Sequence, residues 1–396
     1  MSAPVAEPRA QCLPPIFALL WPWPDKPIAQ PGAEFWNDIA AIARQQRLRP
    51  LLHRKAQHGG WAVPPAIADN WALADRRAEV RALKQKVELA RITRWFAEAD
   101  IEAYVLKGGA LAWRGWFDPA IRPMRDLDLL VRADQAEAAQ ELLISRGYSG
   151  APVDVVANSK HLPALTARDS GVVVEIHTRM IDAPTQRWAE RDARFCQLAS
   201  ERARRLSASE GGFAVFSDED TLLHLIVHAV LDHQFNNGPV LLLDIEALIA
   251  KGQIDWPQFW ETADKIGARR AAQLALKLAE AIVPGLTVDW QGHAPQDLDA
   301  DAVIGAASLM LVPAEKRTQL GLVGRLARFS WSDRIGVVLG GLMRQRRSVT
   351  ATEPSGKQGD PPEAAAGLSH MLAGARSAAG RAHIKRSLAV AKWLRG

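Results

Sequence analysis

Residues 104–131 read Tyr-Val-Leu-Lys-Gly-Gly-Ala-Leu-Ala-Trp-Arg-Gly-Trp-Phe-Asp-Pro-Ala-Ile-Arg-Pro-Met-Arg-Asp-Leu-Asp-Leu-Leu-Val. Tyr104, Val105 and Leu106 form an apolar, strand-favouring run that stops at Gly108 and Gly109. Residues 110–117 then read as a short helix closed by Asp118 and Pro119. A strand, a glycine turn and a helix start bring backbone N–H groups together on a phosphate. Residues 126–131 read as a second strand. Side chains alternate along a strand, so Asp126 and Asp128 share one face while Leu127 and Leu129 share the other. Two adjacent carboxylates repel each other unless a cation lies between them, which makes a divalent metal the natural resident.

A third carboxylate lies downstream. Val172–Thr178 reads Val-Val-Val-Glu-Ile-His-Thr, a strand preceded by the hairpin-turn residues Arg168, Asp169, Ser170 and Gly171. Residues 161–166 supply the other arm. Glu175 and His177 share a face by period 2. A carboxylate within so apolar a strand costs free energy unless a cation or hydrogen bonds meet it.

Glycine pair, Asp-x-Asp strand and later carboxylate together resemble the signature of the polymerase-β-like nucleotidyltransferase superfamily. Lys107 before the glycines, Arg122 and Arg125 before the aspartates, and Glu-Ile-His at 175–177 are most similar to a bacterial group described only as uncharacterised nucleotidyltransferases. The resemblance covers about residues 76–250 and is strongest over 104–178. The spacing from Gly109 to Asp126 departs from the compact members by being longer. The resemblance implies an NTP substrate such as ATP and two Mg2+ ions held by Asp126, Asp128 and Glu175, with the phosphates on Gly108 and Gly109. Lys107, Arg122 and Arg125 would assist, since an arginine offers phosphate a planar fork and a lysine a point charge. His177 would contact the nucleotide or support the ligands. The reaction implied is transfer of a nucleoside monophosphate to an acceptor hydroxyl or phosphate. The alternatives are another phosphoryl transfer, to a peptide or sugar, and a catalytically inert nucleotide-binding scaffold.

Composition narrows the class. A hydrophobic fraction of 48% over 396 residues supports a globular chain of one large core or two domains. Cys12 and Cys196 lie far apart and offer no disulfide framework, and no apolar run reaches bilayer length, so a cytoplasmic location is expected. The net charge of +5 is unevenly spread. Residues 313–396 hold 15 Lys and Arg against 5 Asp and Glu, which leaves the first 312 residues at −5. The catalytic region is therefore not basic, and nucleic acid is disfavoured as a partner. The acceptor is expected to be a small molecule, saccharide or peptide.

The expected fold is α/β (α+β): a small mixed sheet over residues 100–182 between flanking helical regions. Residues 1–99 read as a proline-rich surface arm followed by helices at 34–58 and 65–99. On the second helix Val80, Leu83, Val87 and Ala90 trace the apolar stripe. Residues 183–312 read as a helical domain, with helices at 218–232, 240–250, 256–266 and 268–282, the first capped by Ser217. His224 and His228 share a face there, without the Glu that a zinc-binding His-Glu-x-x-His helix carries. They read as packing or acceptor-lining residues, and Asp244 as a polar residue within an apolar helix. Residues 348–366 are a low-complexity linker. The last segment, 368–394, is basic and amphipathic, and reads as a solvated tail or a membrane or partner contact.

Overall fold

The computed structural model describes residues 13–21, 32–150, 160–183, 185–207, 212–312 and 378–395. Its strands are β1 (Ala103–Val105), β2 (Asp126–Val131), β3 (Tyr148–Ser149), β4 (Leu165–Ala167), β5 (Val173–His177), β6 (Arg204–Arg205) and β7 (Ala214–Val215). They form one mixed sheet in the order β3-β4-β5-β2-β1-β7-β6. The α/β expectation holds, and β6 and β7 carry the sheet beyond the predicted residue 182. β2 lies between β5, which it meets in parallel, and β1, which it meets antiparallel.

The period-2 alternation sorts the sheet's faces. Leu127, Leu129, Val131, Val174 and Ile176 are buried on one side. They share a core with Leu89, Ile92 and Phe96 of α4 (Pro65–Glu98) and with Ala139 and Leu143 of α6 (Ala136–Ser145). On the other side Tyr104 and Leu130 join a second core with α8 (Asp218–Val227), α9 (Val240–Lys251), α10 (Trp256–Lys265) and α11 (Arg269–Ile282). α8 continues into a π-helical turn at His228–Asp232. Ser217 caps α8, its Oγ accepting from the Asp220 N–H at 3.4 Å. These four helices fall where local pattern puts them. α7 (Gln186–Glu201) and α12 (Ala300–Met310) complete the region.

Elsewhere the structure corrects the sequence reading. The expected helix at 34–58 is two helices, α2 (Ala33–Gln45) and α3 (Arg49–Gly59), broken at Arg47 with φ 59° and restarted by Pro50. The N-terminal segment is not a surface arm where it is described. α1 (Ile16–Leu20) is buried, and the Trp21 indole N–H donates to Glu246 Oε2 at 2.8 Å. The helix expected at 110–117 is α5 (Lys107–Ala112), so Gly108 and Gly109 lie within its first turn and not ahead of it.

α4 buries the face opposite to its aliphatic stripe. Val80, Leu83 and Val87 are 55%, 66% and 52% exposed, whereas Asp75, Gln85 and Glu88 are buried. Each buried polar group has a partner: Arg54 Nε donates to Asp75 at 3.0 Å, Gln85 Nε2 to the Met124 carbonyl at 3.3 Å, and the Tyr148 hydroxyl to Glu88. Satisfied polar groups can be buried at little net cost, so partners, and not hydropathy alone, oriented this helix.

The basic terminal segment is likewise not a free tail where it is described. α13 (Ala378–Arg395) packs on α12 so closely that a Cβ on Gly305 would lie 3.0 Å from the Arg386 carbonyl oxygen. Val390, Ala391 and Trp393 are buried, and the Trp393 indole N–H donates to the Arg270 carbonyl at 2.8 Å. The apolar face is thus occupied, while Arg381, Lys385, Arg386 and Lys392 point outward. No described helix is long and apolar enough to cross a membrane. The 348–366 linker lies outside the described residues.

Candidate active site

Strand pairing assembles the carboxylates. In the parallel β2–β5 ladder Asp128 is the direct partner of Glu175, and Leu130 of His177. One ligand atom each from Asp128, Glu175 and His177 lie within 4.8 Å of one another. Asp126 is two residues back on β2 and so on the same face. His177 Nε2 lies 2.7 Å from Asp128 Oδ1 and 3.4 Å from Glu175 Oε2, bridging the two carboxylates.

α5 holds the opposite wall. The Leu106 N–H donates to the Asp128 carbonyl at 2.9 Å, which fastens the β1–α5 junction to β2. At that junction Lys107 takes φ 51°, a left-handed conformation uncommon outside glycine. Its Nζ lies 2.6 Å from Asp128 Oδ1. Gly108 is required by packing. A Cβ there would collide with the Arg122 guanidinium and come within 2.9 Å of Met124 Cγ, because Arg122 fills the space that a side chain would need. At Gly109 a Cβ would meet Val105 Cγ1 at 2.7 Å.

Arg122 is engaged from its other edge. It makes a bidentate ion pair with Asp244 of α9, Nη2 to Oδ2 at 2.6 Å, and both side chains are almost fully buried. Asp244 is therefore the anchor of the long connector between α5 and β2. Arg125 is exposed.

The three carboxylates feel different fields. Burial pushes the Asp126 carboxyl up to about 6, and the charges of Asp128 and Glu175 push the same way. Burial would also raise Asp128, but the Lys107 ammonium and the His177 hydrogen bond outweigh it and hold that carboxyl far below its usual range. The hydrogen bond from His177 leads in lowering Glu175. Asp126 is thus the least compensated of the three.

Lys160 and Asp232, which local sequence pattern did not single out, line the site together with His224 and His228. Lys160 Nζ lies 2.8 Å from Asp232 Oδ2 and 3.4 Å from His228 Nδ1. Burial opposes its charge, but Asp232, Asp182 and Asp128 together raise its proton affinity. His224 is buried, and burial leads in lowering its proton affinity, followed by the charges of Lys107, Lys160 and His177. α8, which carries His224, and the π-helical turn, which carries His228, therefore border the carboxylates. Nothing in the local sequence marks Lys160 or Asp232, which meet across 72 positions. Arg47, in the α2–α3 turn, feels the charges of Arg125, Arg122 and Asp126 and was also not anticipated.

No curated protein matches the chain. The sequence profile of a family described as uncharacterised nucleotidyltransferase matches residues 33–284, a span that takes in α2 to α11, the whole sheet and every side chain just described. With that match over more than half its length, the chain belongs to the uncharacterised nucleotidyltransferase family, and it is an enzyme that transfers phosphorus-containing groups.

Proposed function

We propose that the enzyme moves a nucleoside monophosphate from an NTP to an acceptor hydroxyl or phosphate, with pyrophosphate leaving, in a Mg2+-dependent reaction. The observation that carries this reading is the β2–β5 register, which sets Asp128 opposite Glu175 with Asp126 on the same face. Asp126, Asp128 and Glu175 would hold two Mg2+ ions. The donor set fits hard divalent cations, which prefer carboxylate oxygens, and the raised Asp126 carboxyl marks negative charge short of a counter-ion. Such ions, when bound, neutralise charge at the reacting phosphate and make an attacking hydroxyl more acidic.

The chain's own residues prepare the site. Lys107 and His177 both contact Asp128 Oδ1, which fixes the carboxylate and keeps it ionised. His177 also separates Asp128 from Glu175, so the two charges are held close without direct contact. Gly108 and Gly109 offer their backbone N–H groups to the phosphates. Arg122, tied to Asp244, packs against Gly108 and holds the connector in shape, while the exposed Arg125 remains available to a phosphate. The acceptor is proposed to be a small molecule, saccharide or peptide that enters past His224 and His228.

The test uses α- and γ-labelled NTPs with Mg2+ and a cell extract, beside the Asp126→Ala/Asp128→Ala double variant. Label from the α position should appear on an extract component with the wild-type chain and not with the variant. Label from the γ position alone would replace this reading with phosphoryl transfer of another kind.

A further inference from the structure

Arg47 occupies a position that the fold alone would give to glycine. It follows the end of α2, where the Leu48 N–H reaches back to the Ala43 carbonyl at 2.8 Å, and it takes φ 59°. Helices that end this way place glycine at such a residue because a Cβ is strained there. The side chain adds two further costs. It is half-buried, and the charges around it are mainly of its own sign: Arg125, Arg122 and Arg81, against Asp126. Burial leads in lowering its proton affinity, to about 10, with Arg125 and Arg122 next. No hydrogen bond, ion pair or ring contact engages its guanidinium among the described residues, and the same holds for exposed Arg125. Backbone strain, desolvation and like-charge repulsion without a partner are what a preorganised ligand site shows.

Its place in the fold says which ligand. α3 and α4 both pack on the short 3-10 helix Pro119–Ile121, and Arg122 follows directly. That packing brings the α2–α3 turn within electrostatic reach of the connector, whose Arg122 lies on Gly108 and which leads through Arg125 into Asp126. We propose that Arg47 and Arg125 together form a guanidinium clamp for the phosphate chain of the nucleotide, so that the N-terminal helices complete the binding site. This rests on the proposed function in assigning the phosphates to the Gly108 side. The ligand's charge would relieve the repulsion between the two arginines, and each arginine can offer two parallel N–H donors to phosphate oxygens. Arg122 takes no direct part because Asp244 occupies its fork.

The test is calorimetric titration of the full-length protein with inorganic tripolyphosphate and, separately, with the free nucleoside. The proteins compared are wild type, Arg47→Gly, Arg47→Lys and Arg125→Ala. Arg47→Gly should keep or raise the melting temperature, because glycine suits the left-handed turn, and should weaken tripolyphosphate binding about tenfold or more. Arg47→Lys should recover only part of that loss. Arg125→Ala, at an exposed position, should weaken tripolyphosphate binding without changing the melting temperature. Nucleoside affinity should change in none of them. Tripolyphosphate binding that is absent in the wild type, or unchanged in both Arg47→Gly and Arg125→Ala, would overturn the clamp. Arginine-dependent binding without α-label transfer would uphold the clamp and remove the nucleotidyl reading. Transfer with an unaltered KM in Arg47→Gly would do the reverse.

Discussion

Asp126 pays for the site in stability. Its carboxyl is pushed up to about 6 from an ordinary value of 3.8, by burial first and then by Asp128 and Glu175. A raised carboxyl favours folding only while protonated, so its contribution is fully present below about pH 4 and is lost as the pH rises through about 6. At pH 7.5 and without metal the ionised group opposes folding, by roughly 1–3 kcal/mol. Asp126→Asn should therefore be more stable than wild type at pH 7.5 in EDTA by about that amount, with the gap closing towards pH 4. Urea denaturation at the two pH values measures it, and a variant of equal or lower stability at pH 7.5 contradicts the assignment. At this scale the sequence was informative, since adjacent carboxylates on one strand face repel wherever the strand is placed. It did not reveal that Lys107 and His177 would converge on Asp128 and leave Asp126 exposed to the repulsion.

The connector between α5 and β2 illustrates what elements add. Its length gave no path from sequence, and its position is settled by Arg122 reaching Asp244, 122 residues away. Removing one member of a buried ion pair leaves the other charge uncompensated, at a cost of about 3–5 kcal/mol. Asp244→Asn should lower the urea midpoint accordingly and weaken catalysis, because Arg122 is then free to leave Gly108. The double replacement Arg122→Met/Asp244→Leu should restore most of the stability, since apolar pairs substitute well for buried ion pairs, while activity stays reduced. Equal stability of Asp244→Asn and wild type would show that the pair does not hold the connector. Helices α8 to α11 and the Ser217 cap were readable because their signals are local. The orientation of α4 was not, because its buried face is defined by partners on α3, on the connector and at Tyr148.

At the scale of the whole molecule the strands of the candidate site depend on distant chain. β1 pairs with β7 at Tyr104 and Ala214, and the core beneath Tyr104 and Leu130 draws on side chains from Ile16 to Trp393. Residues 100–182 expressed alone should therefore remain unfolded, lacking a cooperative thermal transition by circular dichroism. A cooperative transition in that fragment would show that the sheet's second face needs no cover. The sequence by itself determined the fold class, the strand faces bearing Asp126, Asp128, Glu175 and His177, and the family signature. Each of these is encoded by residues within a few positions of one another, through side-chain alternation and helix periodicity. Only the tertiary structure decided that Asp128 stands opposite Glu175, that Arg122 belongs to Asp244, and that Arg47 comes within electrostatic reach of Arg125 and Asp126. Strand register and ion pairing depend on which distant groups meet and lose water together, and local pattern carries no record of that meeting.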